Sequence, residues 1–133
     1  AEQGAKTTTI LKGTKYTMHM KVRINDHIPN PIFAFSIKNA KGVEITGTNS
    51  MVEKAFLDCG RAGEQKEITF TQKMTLQGGE YLLSLGLTGY NKDVFEVYHR
   101  LYDVINITVV SDKDTVGYYD MNSSIVIKDG KEE

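Results

Sequence analysis

An all-β fold, an antiparallel β-sandwich of about eight or nine strands, is what this amino-acid sequence predicts. Two observations carry the prediction. Apolar residues alternate with polar ones in segment after segment, the period of a strand with one face to a core and one to water. The breaks between those segments hold Gly, Asn, Asp and Pro in turn-forming groupings. With 133 residues, 40% of them hydrophobic, the chain has material for one core. It therefore reads as a single domain over residues 1–133, with 1–7 and 129–133 as flexible ends.

The elements follow in order. From Tyr16 to Ile24 the apolar residues alternate strictly with Thr17, His19, Lys21 and Arg23. Asn30, between Pro29 and Pro31, fits a turn that launches a second strand over Ile32 to Lys38, with Phe33, Phe35 and Ile37 in phase. Asn39-Ala40-Lys41-Gly42 turns the chain, and Val43 to Thr46 returns it as a hairpin. Asn49 stands where the chain leaves the sheet. Ser50 to Leu57 is the one stretch with helical spacing, enough for a short turn bearing Met51 and Ala55. Ile68 to Met74 alternates again, Gln77-Gly78-Gly79-Glu80 turns, and Tyr81, Leu83, Leu85 and Leu87 share one phase. Val104 to Val110 is rich in β-branched residues, as a strand covered on both faces or lying at a dimer seam would be. Two further strands, Thr115 to Met121 and Ser124 to Ile127, close the prediction.

Composition excludes several functions. Sixteen Lys and Arg against 17 Asp and Glu leave no basic excess to displace counterions from phosphates, so nucleic acid is not an expected partner. The phosphate loop G-x-x-x-x-G-K-[ST] is absent, so ATP hydrolysis is not expected of this chain. One cysteine, Cys59, precludes an internal disulfide and fits a reducing compartment. No apolar run approaches the roughly 18 residues of a membrane span. The opening AEQGAKTTTI has neither an initiator Met nor a signal-peptide layout, and the chain reads as a fragment of a longer protein.

Few residues can carry chemistry. His19, His27 and His99 lack a second His or Cys at metal-ligand spacing, so neither metal nor cofactor is expected. His19 lies on the polar phase of its strand and reads as an ordinary exposed imidazole. Cys59 with His99 as base has no third residue to orient it, and a small structural thiol is the better account. The carboxylates Glu44, Glu80, Asp93, Glu96 and Asp103 are scattered, and a glycosidase needs two flanking a cleft. No catalytic residue is assigned. The richest segment is Tyr90 to Asp103, dense in aromatics and hydrogen-bonding groups, the mixture that sugar rings require. Against this, Phe95, Val97 and Tyr102 could face the core while Arg100 and Asp103 pair at the surface. Tyr118 and Tyr119 form a second cluster; adjacent on a strand, they must point to opposite faces.

Three segments recur in a familiar order: Asn30 to Ile37, then Gly42-Val43-Glu44-Ile45-Thr46-Gly47-Thr48-Asn49, then Gly79-Glu80-Tyr81-Leu82-Leu83-Ser84-Leu85-Gly86. A His/Arg-bearing stretch running into Tyr102-Asp103-Val104 follows. This pattern, from about Thr8 to Ile127, resembles the C-terminal carbohydrate-binding domain on the ATPase subunit of ABC transporters that export O-antigen and related polysaccharides. The resemblance implies a jelly-roll or immunoglobulin-like sandwich that binds a finished glycan, O-antigen or teichoic-acid-like, without catalysis. It further implies a cytoplasmic domain tethered to a nucleotide-binding domain and membrane subunit at the inner face of the membrane. A homodimer formed by exchange of the C-terminal strand, here Val116 to Ile127, is also implied. The matching motifs are turns and core, so they transfer no binding residues. Tyr90, Tyr98, His99, Arg100 and Tyr119 are the candidate sugar contacts; the chain has no tryptophan, so any stacking platform must be tyrosine, phenylalanine or histidine. The alternative is a structural sandwich whose edges mediate transporter assembly.

Overall fold

The structure is a computed structural model that describes residues 6–57 and 59–130. Nine strands are described: β1 Lys6–Leu11, β2 Lys15–Arg23, β3 Ile28–Pro29, β4 Pro31–Asn39, β5 Glu44–Asn49, β6 Cys59–Gly60, β7 Gln65–Lys73, β8 Gly79–Asn91 and β9 Val94–Val110. Five of them form one sheet in the order β1-β9-β8-β4-β5, and β2 pairs with β7 to form the facing layer. The short β3–β6 ribbon makes a third pairing. All neighbours run antiparallel except β1, which lies parallel to β9.

The alternation read from the sequence is what joins the layers. Met18, Met20 and Ile24 from the β2 side, with Phe70 and Met74 from the β7 side, meet Phe33, Phe35, Ile37, Leu83 and Ile107 of the larger sheet in one core. Phe35 and Phe70 lie edge to face across it, ring centroids 5.0 Å apart. The β4–β5 turn is held by the Asn39 side-chain oxygen, which accepts from the Lys41 and Val43 amides at 2.9 Å, while Gly42 takes a positive φ of 85°. Asn49 plays a similar part where the chain leaves β5, accepting from the Val52 amide at 2.7 Å.

Ser50 to Leu57 holds the expected short turn, with the Ala55 amide donating to the Ser50 carbonyl. Two expectations need correction. Lys6–Leu11 forms a strand that the sequence reading left out; Thr7, Thr8 and Thr9 carry β-branched side chains but no alternation to betray it. Most importantly, Thr115 to Met121 and Ser124 to Ile127 are not strands. Among the described residues this region makes one β-bridge, Leu76 to Tyr119, and is otherwise held by Gln77 at Thr115 and by the contacts of Asp120. A strand needs a neighbour to take its main-chain bonds, and this segment finds no ladder within its own chain. Val116 is 97% exposed, and Met121, Ile125, Val126 and Ile127 are similarly bare. Tyr118 and Tyr119 are both exposed, so neither enters the core. The expected flexible ends fall largely outside the described residues, as do the side chains of Cys59, Arg100, Tyr102 and Asp103.

Asp120 pins the start of that C-terminal segment. Its side chain is buried, and Lys12 Nζ and Lys113 Nζ each stand 3.2 Å from its Oδ2. Lys12 also donates to Gln77 Oε1 at 3.0 Å and to the Lys113 carbonyl, and the Asp120 amide donates to the Thr75 carbonyl at 2.7 Å. The Asn122 amide donating to Asp120 Oδ1, helped by the two lysines, lowers the carboxyl to about 2. That is below the usual carboxylate value of about 4, so the stabilisation is complete above about pH 4 and lost as pH falls through about 2. Thermal unfolding of the native chain and Asp120→Asn should therefore differ at pH 7 and converge near pH 2. A gap that persists unchanged at pH 2 would refute the assignment.

Candidate functional site

Among the described residues β2 is bonded on one side only, to β7. Ile24 exchanges its main-chain bonds with Gly63 and Glu64 on that side, so ladder alternation turns the amides and carbonyls of Lys21 and Arg23 towards the open edge. Along this edge lies a cleft of about 570 Å³. One wall runs from His19 through Ile28; the other is Leu85, Gly86 and Leu87 of β8 with Tyr98 and His99 of β9. The volume falls within the usual range of small-ligand sites.

The second wall owes its shape to a bulge. His99 pairs with Leu87 while Val97 pairs with Thr88, which leaves Tyr98 as an extra residue between them. Bulges re-aim side chains, and Tyr98 comes to rest half-buried against the core. A Cβ at Gly89 would stand 3.2 Å from the Tyr98 ring, so glycine there makes room for it. Burial first, then the neighbouring Glu96 carboxylate, pushes the Tyr98 hydroxyl above its ordinary value, so it stays protonated and hydrogen-bonds Glu96.

All three histidines of the chain line this cleft, with Lys21, Arg23 and Asp26. Among the described residues no three His, Cys, Asp or Glu side chains converge tightly enough to hold a metal ion. What the cleft offers is an aromatic ring, imidazoles and charges of both signs, with open main-chain groups on one rim. That set suits a ligand rich in hydroxyls.

The candidates from the sequence separate. Tyr98 and His99 meet in the cleft. Tyr90 lies elsewhere, edge to face with Phe95 at 5.4 Å, beside Phe56. Tyr119 sits on the C-terminal segment opposite Leu76. Arg100 pairs with Gly86 in the ladder, but its side chain is outside the described residues. Phe95 and Val97 are exposed, not core-facing. Sequence reasoning missed Lys21, Arg23, Asp26 and His27, and dismissed His19. The available signal was the polar phase of β2 running directly into Asn25-Asp26-His27.

A family model of the Wzt C-terminal domain matches residues 1–121. The chain belongs to the Wzt C-terminal domain family. This is the non-nucleotide-binding domain of the ATPase subunit of O-antigen ABC transporters. Among solved structures, the crystal structure of the C-terminal domain of Wzt aligns with a TM-score of 0.81 at 24% identity. It covers 90% of this chain and 74% of that one, and shows a shared fold. No curated protein matches the Wzt-family chain in sequence.

Proposed function

We propose that this Wzt-family domain binds a cell-surface polysaccharide for export by its ABC transporter and performs no chemistry on it. The observation that supports this reading is the cleft at the open β2 edge, where Tyr98 and the three histidines line one concavity. The polymer is of the O-antigen or teichoic-acid-like class. The domain works at the cytoplasmic face of the membrane, beside the nucleotide-binding domain and membrane subunit.

The same proposal includes a homodimer, in which the C-terminal segment, Val116 to Ile127, stays held to its own chain at Asp120 and docks its bare residues beyond that point on a second copy. The exposed apolar residues there also favour a second reading, an assembly module that never touches sugar. A thermal-shift titration separates the two. Polysaccharide from the source cells, at about a hundred times its dissociation constant, stabilises a binding fold by roughly 2.7 kcal/mol. That raises Tm by more than about 5 °C in a domain this small. A shift with that polymer and not with unrelated glycans supports recognition. No shift with any fraction overturns it in favour of assembly.

A further inference from the structure

We infer that the cleft at the open β2 edge selects its polysaccharide by an acidic group, a carboxylate or phosphate on a sugar unit, held by Lys21 and Arg23. This selection rests on the glycan-binding reading of the same cleft and adds the chemical class of sugar which that reading leaves open.

Charge points to the class. The described residues lining the cleft carry two fixed positive charges, Lys21 and Arg23, against one negative charge, Asp26. His19, His27 and His99 stand in the same concavity, and an imidazole adds positive charge or none. The chain as a whole has a formal net charge of -1, so the sign of the cleft is opposite to that of the molecule around it. Neither flanking carboxylate is paired with these cations. Glu96 holds the Tyr98 hydroxyl, and Glu67, opposite Lys21 in the ladder, makes no ion pair with it. Among the described residues Lys21 and Arg23 have no acidic partner.

Geometry makes that charge usable. Lys21 and Arg23 share the exposed polar phase of β2 with His19. Alternate residues of a strand stand about 7 Å apart, so one acidic group reaches both cations. Ladder alternation turns the main-chain amides of the same two residues to the open edge, beside their own charged side chains. This wall is therefore rich in donors, and carboxylate and phosphate oxygens only accept. The Arg23 guanidinium offers either group two parallel N–H bonds. Hydroxyl oxygens use such donors as well, but only an anion uses the charge. Across the cleft Leu85, Leu87 and Tyr98 form an apolar wall, and low-dielectric walls concentrate the field of the cations opposite.

The test uses the intact chain and the surface polysaccharide of the source cells, native, with its carboxyls reduced to alcohols, with its phosphoesters removed, and with both treatments. If an acidic group is selected, the doubly treated polymer binds the native protein at least about tenfold more weakly than the untreated one, and the single treatments tell carboxylate from phosphate. Lys21→Gln and Arg23→Gln, both at exposed positions that spare the core, then weaken the untreated polymer by a similar factor and leave the doubly treated polymer unchanged. If the native protein binds the doubly treated polymer as tightly as the untreated one, selection by charge is refuted and the recognition module stands. It is refuted equally if the two variants weaken both polymers by the same factor, since Lys21 and Arg23 then serve hydroxyls. If the native protein binds no form of the polymer, both readings fall together.

Discussion

Substituting His99 by alanine is expected to raise the dissociation constant for the polysaccharide by about thirtyfold or more and leave the fold untouched. The imidazole is exposed at the mouth of the β2-edge cleft, so its removal should change stability by no more than about 0.5 kcal/mol. Central contacts in a binding site commonly cost at least about 2 kcal/mol when truncated. Carbohydrate affinities between millimolar and micromolar leave little margin, and such a loss takes binding below detection. Tyr98→Ala should match it in binding but not in stability, because this ring also packs against the core. Tyr98→Phe divides the two roles: the ring stays on Gly89, and only the hydroxyl that meets Glu96 is lost. Isothermal titration with the source polysaccharide, beside thermal unfolding of each variant, reads both effects. Undiminished binding by both alanine variants would place the site elsewhere.

How far the sequence could be read depended on whether a residue's partner was near in pattern. Period-two alternation marked β2, β4, β7 and β8 because each turns alternate residues to the shared core, and Phe35, Phe70 and Leu83 fell where the pattern put them. β1 escaped because its stability comes from pairing in parallel with β9, roughly a hundred residues away, and its threonines carry no periodic mark. The candidate site was half legible. Tyr98 and His99 lay in the segment dense in aromatics, yet what delivers Tyr98 to the cleft is a one-residue bulge, and a slip of one residue sends a side chain to the opposite face. The same arithmetic separates Tyr90 from Tyr98: eight positions apart in sequence, they serve opposite faces of the sheet. The opposite wall of the cleft, His19 to His27, comes from a distant strand, and no local pattern could join it to Tyr98.

Ending the chain at Asp114 is expected to convert a dimer into a monomer. The segment from Val116 onward carries its apolar residues in the open, and among the described residues it joins no strand ladder of its own chain beyond the bridge at Tyr119. An exposed apolar segment of this kind pairs readily, once extended, with another chain's sheet edge. Ile125 and Ile127 would share one face of such a strand, and burying each contributes about 1.5–3 kcal/mol, applied twice by the two-fold symmetry of an exchange. Truncation alone is an incomplete test, since it also deletes Asp120 and the clamp that Lys12 and Lys113 make on it. A second variant, Ile125→Lys with Ile127→Lys, keeps the clamp and blocks only the docking of the strand. Light scattering should report two chains for the native protein and one for both variants. A native monomer sinks the exchange outright. A dimer that survives both changes transfers the interface to another surface, and the bare C-terminal segment would then need a partner other than a second copy.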